Sequence, residues 1–157
     1  MTTPAPDELT ALDVRRLAID WLARREYSRL ELHRKLSTKT PDQVLIDQVL
    51  EELAGRNWQS DERFCAAFIR SRLSRGVGPL RIRQELILKG IPDDLLRPQL
   101  AEVDIDWFEK ALLVAEKKIS SLGRDPKWRE KLYRFLMYRG FDSDQARYAL
   151  EAIKNPL

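Results

Sequence analysis

Arg81-Ile82-Arg83-Gln84-Glu85-Leu86-Ile87-Leu88-Lys89-Gly90-Ile91 returns, fifty residues on, as Lys131-Leu132-Tyr133-Arg134-Phe135-Leu136-Met137-Tyr138-Arg139-Gly140-Phe141. The shared frame is basic, apolar, any, polar, any, Leu, any, any, basic, Gly, apolar. Fifty residues before the first copy, Glu31-Leu32-His33-Arg34-Lys35-Leu36 keeps its apolar-x-polar-x-Leu part. Apolar residues four apart followed by a glycine stop describe a short helix that buries one stripe. A period near fifty predicts a tandem array of small helical units.

Working outward from that frame, each copy sits second among three helical patterns. In the first round Val14, Leu17, Ala18, Trp21 and Leu22 form one stripe, and Ser28-x-x-Glu31 reads as a capping box for the next helix. Thr40-Pro41-x-Gln43 then reads as a cap, a first-turn proline and a capping glutamine, opening a helix closed by Gly55. In the second round Ser60 caps a helix with Asp61 and Glu62 in its first turn. Pro79 opens the repeated frame, and Ile91-Pro92-Asp93-Asp94 opens a helix that Pro98 should delay or bend. The third round has a capping box at Asp106-x-x-Glu109, an opening at Asp125-Pro126 and another box at Asp142-x-x-Gln145. No segment sustains strand alternation. The expected fold is therefore all-α: three tandem three-helix repeats in an elongated, curved array. Residues 1–10 are a flexible leader, and the repeats span 11–57, 58–103 and 104–157. Each unit is small, so packing between units should contribute much of the stability.

Composition agrees. Of 157 residues, 43% are apolar and 34% charged, which permits a core and excludes a disordered chain. The net charge of +3 is uneven: residues 61–100 hold eight bases and five acids, and from Arg63 to Lys89 there are seven bases against the single acid Glu85. A local basic surface attracts phosphate or an acidic protein groove. The set Arg70, Arg72, Arg75, Arg81, Arg83 and Lys89 is thus the candidate partner-binding face, weighed against an ordinary solvated face.

Signs of catalysis are scarce. The single histidine, His33, lies on a polar face, and Cys65 shares an apolar stripe with Ile69 and Leu73, which predicts a buried, unreactive thiol between the first two repeats. Gly76-Val77-Gly78-Pro79 contains no Gly-Lys-Ser/Thr and is no phosphate loop. Most aromatic residues fall on core positions, with Trp58 and Tyr138 the least settled. No catalytic residue, metal or cofactor is expected. One cysteine, no signal-like start and no long apolar run predict a cytoplasmic protein without membrane contact.

The stretch Gly76-Val77-Gly78-Pro79-Leu80-Arg81-Ile82-Arg83-Gln84-Glu85-Leu86, continued by Lys89-Gly90-Ile91, resembles the central signature of RecX regulatory proteins. Ala18 to Leu36, Asp61-Glu62-Arg63-Phe64 and Arg134 to Phe141 are similar to the same family. That resemblance implies three tandem three-helix units, no enzymatic activity and no small-molecule substrate. It also implies a partner, the filament that RecA forms on single-stranded DNA, with restraint of filament growth, ATP turnover, strand exchange and the co-protease step of the SOS response. The contrasting class is a direct DNA-binding module, because three-helix units with a basic second helix resemble helix-turn-helix domains.

Overall fold

The computed structural model describes residues 8–153, and among them the secondary structure is nine α-helices with no strand. They are α1 (Ala11–Leu22), α2 (Arg29–Ser37), α3 (Gln43–Gly55), α4 (Asp61–Ser74), α5 (Pro79–Leu88), α6 (Asp93–Glu102), α7 (Trp107–Leu122), α8 (Trp128–Tyr138) and α9 (Ser143–Ala152). Of the expected leader, residues 1–7 lie outside the described residues. Its last residue, Thr10, is the N-cap of α1 and shares a capping box with Asp13.

The repeated frame buries the positions it should. Leu32, Ile82 and Leu132 have no exposed surface, nor do Leu36, Leu86 and Leu136. Gly90 and Gly140 both take left-handed backbone, at φ 84° and 98°, which ends a helix without a Cβ penalty. The apolar residue after each glycine, Ile91 or Phe141, turns back into the core. The first copy differs: α2 ends at Ser37 through the right-handed cap Thr38, and Thr40 stands where the other copies have glycine.

Several local expectations hold. Ser28 and Glu31 form a reciprocal capping box, as do Asp142 and Gln145. Ser60 Oγ accepts from the Arg63 N–H at 3.2 Å, and Pro79 is the first residue of α5. Others are corrected. Asp42, not Thr40, caps α3; its carboxylate accepts from the Leu45 N–H, while the Thr40 hydroxyl accepts from Asp42 N–H and is buried. A carboxylate is the stronger cap because it also meets the positive end of the helix dipole. Gly55 is the last residue of α3, and the left-handed residue after it is Asn57, at φ 60°. Asp106 caps α7, but Glu109 does not reciprocate, because its carboxylate accepts from the Tyr148 hydroxyl instead. α8 begins at Trp128, two residues past Pro126, since Asp125 accepts from Lys127 N–H and turns the chain first. α6 starts at Asp93, without the delay expected of Pro98, and stays one continuous helix across it. Pro98 is exposed and one turn in, so the missing donor leaves a carbonyl that water can reach.

The chain divides into two compact units, one reaching Ala67 and including Leu88–Pro92, the other comprising Phe68–Ile87 and the residues from Asp93 on. In the first, α1, α2 and α3 pack mutually around Val14, Ala18, Leu32, Leu36, Ile46, Leu50 and Leu53. In the second, α7 packs on α8 and α9 around Ala111, Ala115, Trp128, Leu132, Leu136 and Phe141. Cys65 is fully buried, and burial first, then the nearby Asp61, pushes its thiol up to about 11. A thiol held so high has almost no thiolate at neutral pH, which makes it inert.

The second unit is seamed by backbone hydrogen bonds at the start of α5. The Gly78 N–H donates to the Arg139 carbonyl at 2.7 Å and the Leu80 N–H to the Gly140 carbonyl at 3.0 Å. The two chains approach closely enough that a Cβ on Gly78 would fall inside van der Waals contact with Gly140 backbone, and one on Gly140 with Arg81. In the first unit Gly90 makes the corresponding approach: a Cβ there would stand 2.8 Å from Leu30 Cβ. The same glycine of the repeated frame therefore serves twice as a site of close packing.

Candidate partner-binding face

The six residues of the basic set occupy different surroundings. Arg70 and Arg75 are exposed and form no ion pair among the described residues. Arg72 and Arg81 converge on one carboxylate, Glu85, at 2.7 and 2.8 Å. Arg72 also lies over the Phe68 ring, 4.2 Å from its centroid, and Arg81 over Tyr138 at 5.0 Å. Arg83 pairs with Asp93 at 3.0 Å, a carboxylate that Arg97 also binds. Lys89, in the other unit, pairs with Glu31 at 3.1 Å, and Glu31 is shared with Arg25.

The local excess of bases is thus partly cancelled in space. Glu85 stands alone between Arg63 and Lys89 in sequence, yet it serves two arginines, and Asp93 and Glu31 come from outside the basic stretch. Burial would raise the Glu85 and Glu31 carboxyls, but their cationic hydrogen bonds outweigh it and hold both below the ordinary carboxylate value. Four of the six candidates are therefore already engaged. Arg81 is as much a structural residue as a binding one: it binds Glu85, donates to the Tyr138 carbonyl at 3.4 Å and lies against Gly140.

A group of cations that the charge count missed, in no ion pair among the described residues, lies in the second unit. Lys110, Lys117, Lys118 and Arg139 stand around Arg75 at the rim of one cleft. In sequence they are diluted by the acids Asp104, Asp106, Glu109 and Glu116, so composition over residues 101–157 shows near neutrality. The signal that was legible is helical spacing: Lys110, Leu113, Val114, Lys117 and Lys118 share one face of α7. Of the unsettled aromatics, Trp58 and Tyr138 are both exposed, each beneath an arginine, Arg56 and Arg81 respectively. Among the described residues no cluster of His, Cys, Asp or Glu is placed to hold a metal ion, and no helix is long and apolar enough to cross a membrane.

Comparison with known proteins places this architecture. Three family models match in order: RecX first three-helix domain over residues 15–53, second over 60–97 and third over 104–150. A protein named regulatory protein RecX from Actinobacillus pleuropneumoniae is 45% identical over 130 residues, covering 83% of this chain and 85% of that one. One of the same name from Chromohalobacter salexigens is 44% identical over 135 residues, covering 85% and 88%. The crystal structure of RecX from Lactobacillus salivarius shares the fold with a TM-score of 0.74 at 21% identity, over 90% of this chain and 94% of that one. A second crystal structure of regulatory protein RecX superposes with a TM-score of 0.78 at 22% identity, over 90% and 73%. With all three three-helix domains matched in sequence and the helices in place, the chain belongs to the RecX family of regulatory proteins.

Proposed function

We propose that the chain is a non-enzymatic, cytoplasmic regulator of the RecA recombinase. It binds the filament that RecA assembles on single-stranded DNA and restrains its growth, ATP turnover, strand exchange and co-protease activity. The observation that carries this reading is the ordered match of three successive three-helix domains to one family of regulatory proteins. Weak contacts made by successive domains add through multivalency when they meet a repeating partner.

Within this reading the set Arg70, Arg72, Arg75, Arg81, Arg83 and Lys89 faces the partner. Arginine forks suit carboxylates and phosphates in fixed geometry. Arg70 and Arg75, without carboxylate partners, meet the filament at the smallest desolvation cost. Arg72, Arg81 and Lys89 shape the surface while holding their acids. Four of the six cations are already bound by carboxylates, which lowers the count of phosphates this set can neutralise on naked DNA.

The test is RecA ATPase and filament lifetime on single-stranded DNA, titrated with the purified chain. Inhibition at substoichiometric chain is expected. In the double variant Arg70→Glu/Arg83→Gln, potency should fall roughly tenfold with helicity unchanged by circular dichroism. No effect of the wild-type chain on either readout would overturn the function, and full potency of the folded variant would remove these arginines from the interface. An affinity for naked single-stranded DNA equal to that for the filament would establish the DNA-binding class instead.

A further inference from the structure

A cleft of about 330 Å³ opens in the second unit, between the end of α4, one face of α7 and α8. Its rim carries Arg75, Lys110, Lys117, Lys118 and Arg139, and no carboxylate lines it. None of these five cations is in an ion pair among the described residues, unlike Arg72, Arg81 and Arg83. Arg139 is held in place by donating to the Arg75 carbonyl at 2.6 Å. The floor is apolar: Leu113, Val114 and Phe135. Leu113 is 53% exposed, a large aliphatic side chain in water with lysines three residues before it and four after.

We propose that this cleft is a docking site for an acidic peptide segment that carries an apolar side chain between its carboxylates. Charge complementarity selects an anion, because five like charges around one opening repel each other until a counter-charge enters. The floor selects the kind of anion. Phe135 is covered: the Lys118 ammonium lies 4.8 Å from the ring centroid and the Arg139 guanidinium 4.9 Å. A base would need an open aromatic face on which to stack, which this ring does not offer. Leu113 and Val114 offer an aliphatic seat instead, suited to a leucine or phenylalanine side chain. From Lys110 to Lys118 the α7 stripe rises about 12 Å, the reach of about four extended peptide residues. An apolar anchor over Leu113 then places carboxylates at both cationic ends, the pattern of an apolar centre with a charged rim.

The test reads direct binding to the purified chain, so its outcome does not depend on recombinase activity. The probe is the fluorescein-labelled peptide Glu-Asp-Leu-Phe-Asp-Glu, followed by anisotropy. Saturable binding is expected, with affinity falling roughly tenfold in Lys110→Glu/Lys117→Glu. Leu113→Gln, which keeps every charge and a good helix former, should weaken binding by about threefold or more. The amidated peptide Gln-Asn-Leu-Phe-Asn-Gln should not bind, and Glu-Asp-Ser-Ser-Asp-Glu should bind more weakly. The proposal is overturned by absence of saturable binding, by equal affinity of the serine peptide, or by folded variants that bind like wild type. It is equally overturned if a short labelled oligothymidylate binds more tightly than the peptide and is indifferent to Leu113→Gln, which would assign the cleft to phosphate.

Discussion

Gly140 and Gly55 show how one residue type serves opposite ends. Gly140 has φ 98° and lies against Arg81, so a methyl group there would meet backbone and force the left-handed conformation on an L side chain. Gly55 has open space around its Cβ position and ends α3 in ordinary helical backbone. Gly140→Ala should therefore destabilise by about 3 kcal/mol or more, from overpacking and backbone strain together. Gly55→Ala should stabilise by about 0.5 kcal/mol, because alanine loses less backbone entropy in a helix. Urea denaturation of the two variants checks both signs; equal midpoints would show that the close approach at Gly140 is absent in solution. The contrast was half legible: the repeated frame marked Gly140 as a stop, but its neighbour Arg81 lies 59 residues away in sequence.

At the level of elements, the helices were predictable because most of them bury an apolar stripe, while the caps themselves were read less well. For α3 the sequence pattern points to Thr40 as the opener, and the cap is Asp42, two residues on. The structure chooses Asp42 because Thr40 is buried and its hydroxyl already accepts from the Asp42 N–H. Asp42→Ala should then cost about 1 kcal/mol, the ordinary value for an N-cap, and should not be rescued by the Thr40 hydroxyl. Thermal melts at matched pH measure it; an unchanged melting temperature would return the cap to Thr40. Glu109 was assigned to a box on spacing alone, but Tyr148, on α9, takes its carboxylate. Spacing identifies which side chains can cap, and a competing donor from another helix decides which do.

Across the whole molecule, four carboxylates among the described residues each hold two cations, Glu31 and Glu52 in one unit and Glu85 and Asp93 in the other, and Glu31 and Glu85 are the two whose titration is displaced. Glu31 accepts from the Ser28 N–H, Arg25 and Lys89, and Glu85 from Arg72 and Arg81. Both carboxyls titrate below their ordinary value of 4.5 in the folded chain. A carboxyl whose folded pKa is depressed stabilises the fold above its unfolded pKa and loses that contribution as the pH falls through the folded one. Stability should therefore be flat from neutral pH to about pH 5 and decline below about 4.5. Glu31→Gln/Glu85→Gln should be less stable than wild type at pH 7 and should show a shallower decline in acid, the two curves drawing together as the pH falls through the depressed folded values. Parallel curves from urea unfolding at each pH would show that other groups govern acid loss.

The all-helical, three-round organisation was determined by the sequence itself. Helical stripes, caps and glycine stops are local properties, and a fifty-residue period repeats them regardless of what they touch. The buried positions followed too, because Leu32, Ile82, Leu132 and their partners four residues on are the apolar pair that recurs in every copy of the repeated helix. Tertiary structure alone decided the electrostatics. Counting Arg63 to Lys89 suggested an open basic surface, but Glu85 bridges two arginines, while Glu31 and Asp93 come in from outside that stretch. The cations in no ion pair among the described residues lie partly on α7, in a stretch whose composition reads as near neutral. Burial depends on a residue's own apolarity and spacing, which the chain carries along its length. A charge's effect depends on the nearest opposite charge in space, and only folding brings the two together.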